Sequence, residues 1–210
     1  MPKIVDHHER RLVFAEAAFR VIARDGIDGL TVRAIAREAG FTTGALVHYF
    51  KSKDQVLILA SDYIGIVVRG QMQDNQQAHK GLKALKHVVY NALPLDAESR
   101  GNWNVWMGLW QRAQKNREVG NLMQRRYIEW LDRVAMLVEQ AQEIGEVDPN
   151  LDPKSAAHTI VGVVDGIGAR VMLVGADIPA REQKGLVDMV IDNLPRATTA
   201  TDKPSRKRRT

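Results

Sequence analysis

The sequence predicts an all-α protein in two parts, a three-helix N-terminal domain containing a helix-turn-helix and a larger C-terminal helical bundle. Three observations predict it. Apolar residues recur at 3, 4 and 7 spacings in one segment after another, as on one face of a helix. Glycine, proline and acidic residues stand where such segments begin or end. Between Thr31 and Lys53 the chain reads TVRAIAREAGFTTGALVHYFKSK, two short helix patterns separated by a tight glycine break. That is the spacing of a helix-turn-helix DNA reader.

The first helix is expected over residues 6–25, with Phe14, Ala15, Ala18, Phe19 and Ile22 as its apolar stripe and Asp25-Gly26 as its end. It has only the following hairpin to cover, and so completes a three-helix module. Lys3, Arg10 and Arg11 either reach a neighbouring groove or form a solvated end. Thr31 is placed to cap the next helix through its hydroxyl, and Val32, Ile35, Ala36 and Ala39 form the buried face. Gly40 suits the left-handed residue that stops a helix, and Phe41 folds back on the core. Thr42 or Thr43 caps a second helix with Leu46, Tyr49 and Phe50 inward. Outside that core remain Thr42, Thr43, Gly44, Ala45, Val47 and His48, small or polar enough for the helix to approach base edges closely. Arg33, Lys51 and Lys53 lie where phosphates would run, and Thr31 and Tyr49 would help to fix the register. The plain alternative is a helical hairpin with solvated charges.

These residues closely resemble the TetR family of bacterial one-component regulators. The resemblance rests on Thr31, Ile35, Ala36, Ala39, Gly40, Phe41, Gly44, Leu46, Tyr49, Phe50 and the Lys51-Ser52-Lys53 segment. Val47 departs from it, because the family usually carries an aromatic there that lies on the sugar-phosphate backbone. The resemblance implies a domain of residues 1–53 that reads a double-stranded DNA operator.

From Asp54 to about Gln77 a longer helix, with Val56, Leu57, Leu59, Ala60, Tyr63, Ile64 and Val67, joins the halves without a proline-rich linker. Gly81 to Leu93 forms another, ended by Pro94. Residues 97–115 form the next, in which Trp103, Trp106 and Trp110 share a face with Met107, so that three of the four tryptophans fall together. A long helix from Arg117 to Ile144 carries Tyr127, Ile128, Trp130, Leu131, Val134, Leu137 and Val138. After a loop, Asp152-Pro153 starts a helix reaching about Val174 that is apolar around much of its girth, with Gly162 and Gly166 four apart. Pro179 begins the last helix, with Leu186, Val187, Met189, Val190 and Leu194. Two terminal helices this apolar need a covering surface, either a second copy in a homodimer or the rest of the monomer.

The aromatic residues offer three readings: ordinary core, an apolar pocket, or a cage for a cation. The pocket residues would be Trp103, Trp106, Met107, Trp110, Tyr127 and Trp130. Asp165, on an otherwise apolar helix, contacts a ligand or cation, or pairs with Arg170 or a dimer mate. Trp103, Trp106, Trp110, Asp165, Gly166 and Arg170 resemble, more loosely, the C-terminal domain of the choline-responsive repressors of betaine synthesis. That implies an effector-binding and dimerisation domain over residues 54–195.

Net charge is +5 over 210 residues, and its location matters. Residues 1–54 hold nine Lys/Arg against seven Asp/Glu, residues 55–195 fifteen against seventeen, and the last fifteen residues six against one. A near-neutral body argues against a nucleoid protein that bends DNA through spread basic charge. The tail, 196–210, is expected to be disordered, either attracting phosphates without sequence preference or simply solubilising the chain. Cysteine is absent, the start of the chain lacks an apolar signal stretch, and no run is expected to reach transmembrane length, so the expectation is cytoplasmic with no membrane partner. The six histidines lack metal-ligand spacing, no G-x-S-x-G occurs, and the glycines of the second half follow no strand, so neither catalysis nor a cofactor is expected. The reading is a ligand-responsive transcriptional regulator, most simply a repressor released by a small-molecule effector, with a constitutive DNA-binding dimer or an activator as alternatives.

Overall fold

The computed structural model of this chain describes residues 7–47, 49, 50, 52–76, 79–175 and 178–197. Lys3, His48, Lys51 and the tail from residue 198 lie outside the described residues. Among the described residues the chain forms nine helices and no strand. They are α1 (His7–Asp25), α2 (Val32–Ala39), α3 (Thr43–Val47), α4 (Lys53–Gln76), α5 (Gly81–Tyr90), α6 (Ala97–Ala113), α7 (Arg117–Glu143), α8 (Pro153–Val174) and α9 (Ala180–Ile191).

Their ends follow local chemistry. The Thr31 hydroxyl accepts from the Ala34 N–H at 3.1 Å, and Gly40 takes the left-handed conformation at φ +72°. Asp96 and Ser99 exchange side-chain and backbone hydrogen bonds at the start of α6. Asn116 caps α7, accepting from Glu118 N–H at 2.9 Å, and Asp152 with Pro153 opens α8. Two helices are shorter than their periodicity predicts. α5 stops at Tyr90, because Ala92 and Leu93 bond three residues back, to Val89 and Tyr90, in turns. α3 stops at Val47, because Tyr49 bonds back to Leu46 at 2.8 Å and its ring packs with that of Phe50 around Phe14, at 5.0 and 6.0 Å.

Two apolar cores result. One gathers α1 to α4 around Phe14, Ile22, Ile35, Leu46 and Leu57, and also takes Val105 and Leu109 from α6 and Val119 and Met123 from α7. The other joins α5, α7, α8 and α9, with Trp103 of α6. The expectation that α1 covers only the hairpin is therefore corrected, since α4 and α6 also lie against it. Two glycines of α6 permit this approach. A Cβ at Gly101 would fall 2.7 Å from the Ala23 Cβ, and one at Gly108 only 1.6 Å from the Ile27 Cδ1.

A second correction concerns α8. It has 22 residues and is apolar enough, by length and composition, to cross a bilayer, contrary to the expectation that no run reaches that length. Here it is a core helix, with Ala157, Ile160, Val161, Val164, Ile167 and Val171 buried. Its other side carries exposed His158 and Arg170.

Candidate functional site

The expected DNA-reading residues come together on one outward face. Thr31 and Arg33 are exposed at the start of α2; Thr42, Thr43, Gly44 and Val47 are exposed along α3, with Ala45 half-buried among them. Val47 is 56% exposed, the apolar exception on this face. Around Gly44 there is open space, so nothing of this chain stands between that backbone and an approaching surface. Tyr49 is half-buried against Phe14, and Lys53 is exposed at the start of α4. Among the described residues neither Arg33 nor Lys53 forms an ion pair with a carboxylate. Arg10 does not extend from this face; its guanidinium stacks over the Phe41 ring at 5.7 Å.

The second site is a cavity of about 210 Å³ enclosed by α4, α5, α6, α7 and α8. Of the seven residues expected for a ligand, six line it: Trp103, Trp106, Trp110, Tyr127, Trp130 and Asp165. Trp103 is nearly buried, with its indole N–H donating to the Ala92 carbonyl at 2.9 Å and its ring edge-on to Trp110 at 5.8 Å. Gly168 makes room for that ring, since a Cβ there would stand 2.0 Å from it. Met107 is the correction; it packs against the second core and does not line the cavity. At roughly 100° per residue, the lining positions of α6 from Asn102 round to Trp103 fall within about 100°, and Met107 lies some 40° outside that arc.

Other lining residues carry no sequence signal as strong as tryptophan: Ile64 and Gly65 of α4, Val88 of α5, Asn91 and Ala92 just beyond it, and Val164 of α8. Ser99 and Asn102 sit seven and four positions before Trp106, and Met123 and Arg126 the same distances before Trp130, so helical periodicity pointed to these four.

Two charged residues line the cavity, and each has its own partner. The Tyr127 hydroxyl donates to Asp165 Oδ2 at 2.9 Å, and no Asp165–Arg170 ion pair forms among the described residues. Burial pushes the Asp165 carboxyl above the usual carboxylate range, partly countered by that hydrogen bond. The Tyr127 phenol is pushed up to about 12 by burial and then by the adjoining carboxylate. Arg126 Nη2 donates to Asp62 Oδ1 at 2.5 Å and Nη1 to the Ser61 carbonyl at 3.5 Å, tying α7 to α4. Nearer the reading face, Asn116 Nδ2 donates to Asp54 Oδ2 at 2.7 Å. Asp54 Oδ1 makes no hydrogen bond and meets Arg112 only as an ion pair at 3.4 Å. The corner between α6 and α7 is thereby tied to the first turn of α4.

Comparison with known proteins agrees with this architecture. Residues 15–60 match the bacterial regulatory proteins of the tetR family, and residues 82–196, more than half of the chain, match the C-terminal domain of BetI-type transcriptional repressors. The HTH-type transcriptional regulator PksA of Bacillus subtilis is 27% identical over 194 residues, covering 91% of this chain and 90% of its own. The regulator BetI 2 of Chromohalobacter salexigens is 26% identical over 202 residues, 92% of each. A transcriptional regulator from Saccharomonospora viridis, solved in complex with choline, superposes with a TM-score of 0.79 at 23% identity, covering 89% of this chain and 97% of its own. With a helix-turn-helix presented by α2 and α3 and a helical domain of the BetI-repressor type behind it, this chain belongs to the TetR family of bacterial transcriptional regulators.

Proposed function

We propose that this protein is a cytoplasmic repressor that binds its operator as a homodimer and is released by a small organic cation held in the cavity. Residues 1–53 form the DNA-binding domain, residues 54–195 the effector and dimerisation domain, and residues 196–210 add attraction to phosphates without sequence preference. Each subunit sets residues 42–48 in a major groove, while Thr31, Arg33, Tyr49 and Lys53 meet phosphates. The dimer forms through α8 and α9. In support, Gly162 and Gly166 have open space where a side chain would stand, and Leu173, Val174 and Met189 are 68%, 77% and 64% exposed.

One observation carries the choice of ligand: a wall of four indoles and a phenol with a single carboxylate, that of Asp165, among the lining residues. A half-buried carboxylate without a cation is costly. Ring faces attract an alkylated ammonium by about 0.5–2 kcal/mol per contact. The volume is also small, below the roughly 300–1,000 Å³ of sites for drug-sized molecules. Choline, the ligand of the Saccharomonospora viridis regulator, is a quaternary ammonium of this kind. A ligand shifts the reading heads only if it prefers one dimer shape, and the cavity touches α4 directly through Ile64 and Gly65.

The test uses an operator selected in vitro, with fluorescence anisotropy at fixed salt. Choline should release the labelled operator, and Trp106→Ala should blunt the release. Lys53→Ala should weaken operator and random DNA about equally, while Thr43→Ala should weaken the operator more. An operator complex indifferent to every quaternary ammonium would remove the cation reading, and equal losses for both DNA-face variants would remove base reading by α3.

A further inference from the structure

We infer that Arg126 is the specificity-determining residue of this cavity: its guanidinium donates to an uncharged acceptor oxygen on the ligand, so the preferred effector is a monocation bearing such an oxygen. The inference rests on the cation reading above and adds the ligand's other end. A guanidinium has five N–H donors. Among the described residues Arg126 uses one for Asp62 and one, at 3.5 Å, for the Ser61 carbonyl, while its Nε is buried without an acceptor. Unspent donors in a cavity wall are costly until something accepts from them. Apolar lining residues cannot.

Charge decides what kind of acceptor fits. Asp62 lies against Arg126 and offsets it, whereas Asp165 has only the neutral hydroxyl of Tyr127. The two lining charges and Asp62 therefore sum to one uncompensated negative charge. A cation with a hydroxyl or carbonyl oxygen brings the site to neutrality and supplies the missing acceptor. A bare tetraalkylammonium satisfies the charge alone. A zwitterion satisfies the donors but leaves a negative charge over. Because the same guanidinium is bonded to Asp62 and Ser61, an acceptor drawn to Arg126 also bears on α4, the helix that leads to the reading face.

Titration calorimetry of the full-length protein with three probes tests this: tetramethylammonium, choline and glycine betaine. The wild type should bind choline roughly tenfold more tightly than the other two, the worth of one hydrogen bond to a charged donor. Arg126→Met, which keeps the aliphatic stem, should remove the gap between choline and tetramethylammonium while leaving tetramethylammonium affinity within about twofold. Asp62→Asn touches no cavity wall and leaves Arg126 uncompensated; it should turn the preference toward glycine betaine, a reversal that a merely structural role for Arg126 would not produce. Equal wild-type affinity for choline and tetramethylammonium overturns the inference. So does an Arg126→Met variant that weakens both by the same factor, or an Asp62→Asn variant with unchanged ranking. If none of the three probes binds, the cation reading falls and this inference with it.

Discussion

At the scale of residues, the three tryptophans of α6 differ in what surrounds them, and the difference predicts different costs of removal. Trp103 is 5% exposed, hydrogen-bonded, and seated in the space left by Gly168. Trp103→Ala should cost about 3–5 kcal/mol, lowering the melting temperature by roughly 6–20 °C for a chain of this size. Trp106 is half-buried at the cavity, so Trp106→Ala should shift the melt far less and show its effect in ligand affinity. Differential scanning calorimetry distinguishes the two, and equal large shifts would mean that Trp106 is core. Asp165 gives a pH prediction. Its carboxyl is raised in the folded protein, so the folded state holds the proton more tightly than the unfolded one, and losing it as pH rises through the raised value costs stability. Asp165→Asn should therefore leave the ligand-free protein as stable or more stable at neutral pH, yet weaken cation binding about tenfold or more. In the wild type, cation affinity should fall as pH drops through the raised value, a trend absent from Asp165→Asn; calorimetry at several pH values reads both.

At the scale of elements, α6 belongs to two cores at once: Trp103 packs in the one behind the cavity, and Val105 and Leu109 in the one behind the reading helices. Its contact with α1 depends on two absent side chains. Gly108→Ala places a methyl where the Ile27 Cδ1 now stands and should destabilise by about 1–3 kcal/mol, as overpacking does. Adding Ile27→Ala should recover a good part of that loss, giving a non-additive double-mutant cycle in urea denaturation. Simple additivity would mean that α6 and α1 do not press on each other at this point. The sequence reading made α4 the link between the halves; α6 now stands beside it as a second, with the Asp54–Asn116 hydrogen bond at its far end.

At the scale of the whole molecule, the uncovered faces of α8 and α9 govern assembly in the proposed dimer. Leu173→Glu combined with Met189→Glu should shift sedimentation toward the monomer and make operator binding weaker and less cooperative. Because the folded dimer is favoured by mass action, its melting temperature should rise with protein concentration, and that dependence should vanish in the double variant. A wild type that sediments as a monomer at micromolar concentration would refute the dimer.

Much of this molecule was legible in local sequence. Thr31, Gly40, Asp152 and Pro153 announce helix ends because a cap acts on backbone groups within one turn of itself. The reading face was legible too, since the buried Leu46 and Phe50 leave the small residues of α3 outward. The tertiary structure alone brought Asp165 to Tyr127, 38 positions away, and Arg126 to Asp62, 64 positions away. It alone excluded Met107 from the cavity, ended α3 at Val47, and gave α1 two neighbours beyond the hairpin. Periodicity fixes the direction in which a side chain leaves its own helix axis. What it meets there depends on how closely another helix can approach, and at Gly101, Gly108 and Gly168 that was decided by side chains that are missing.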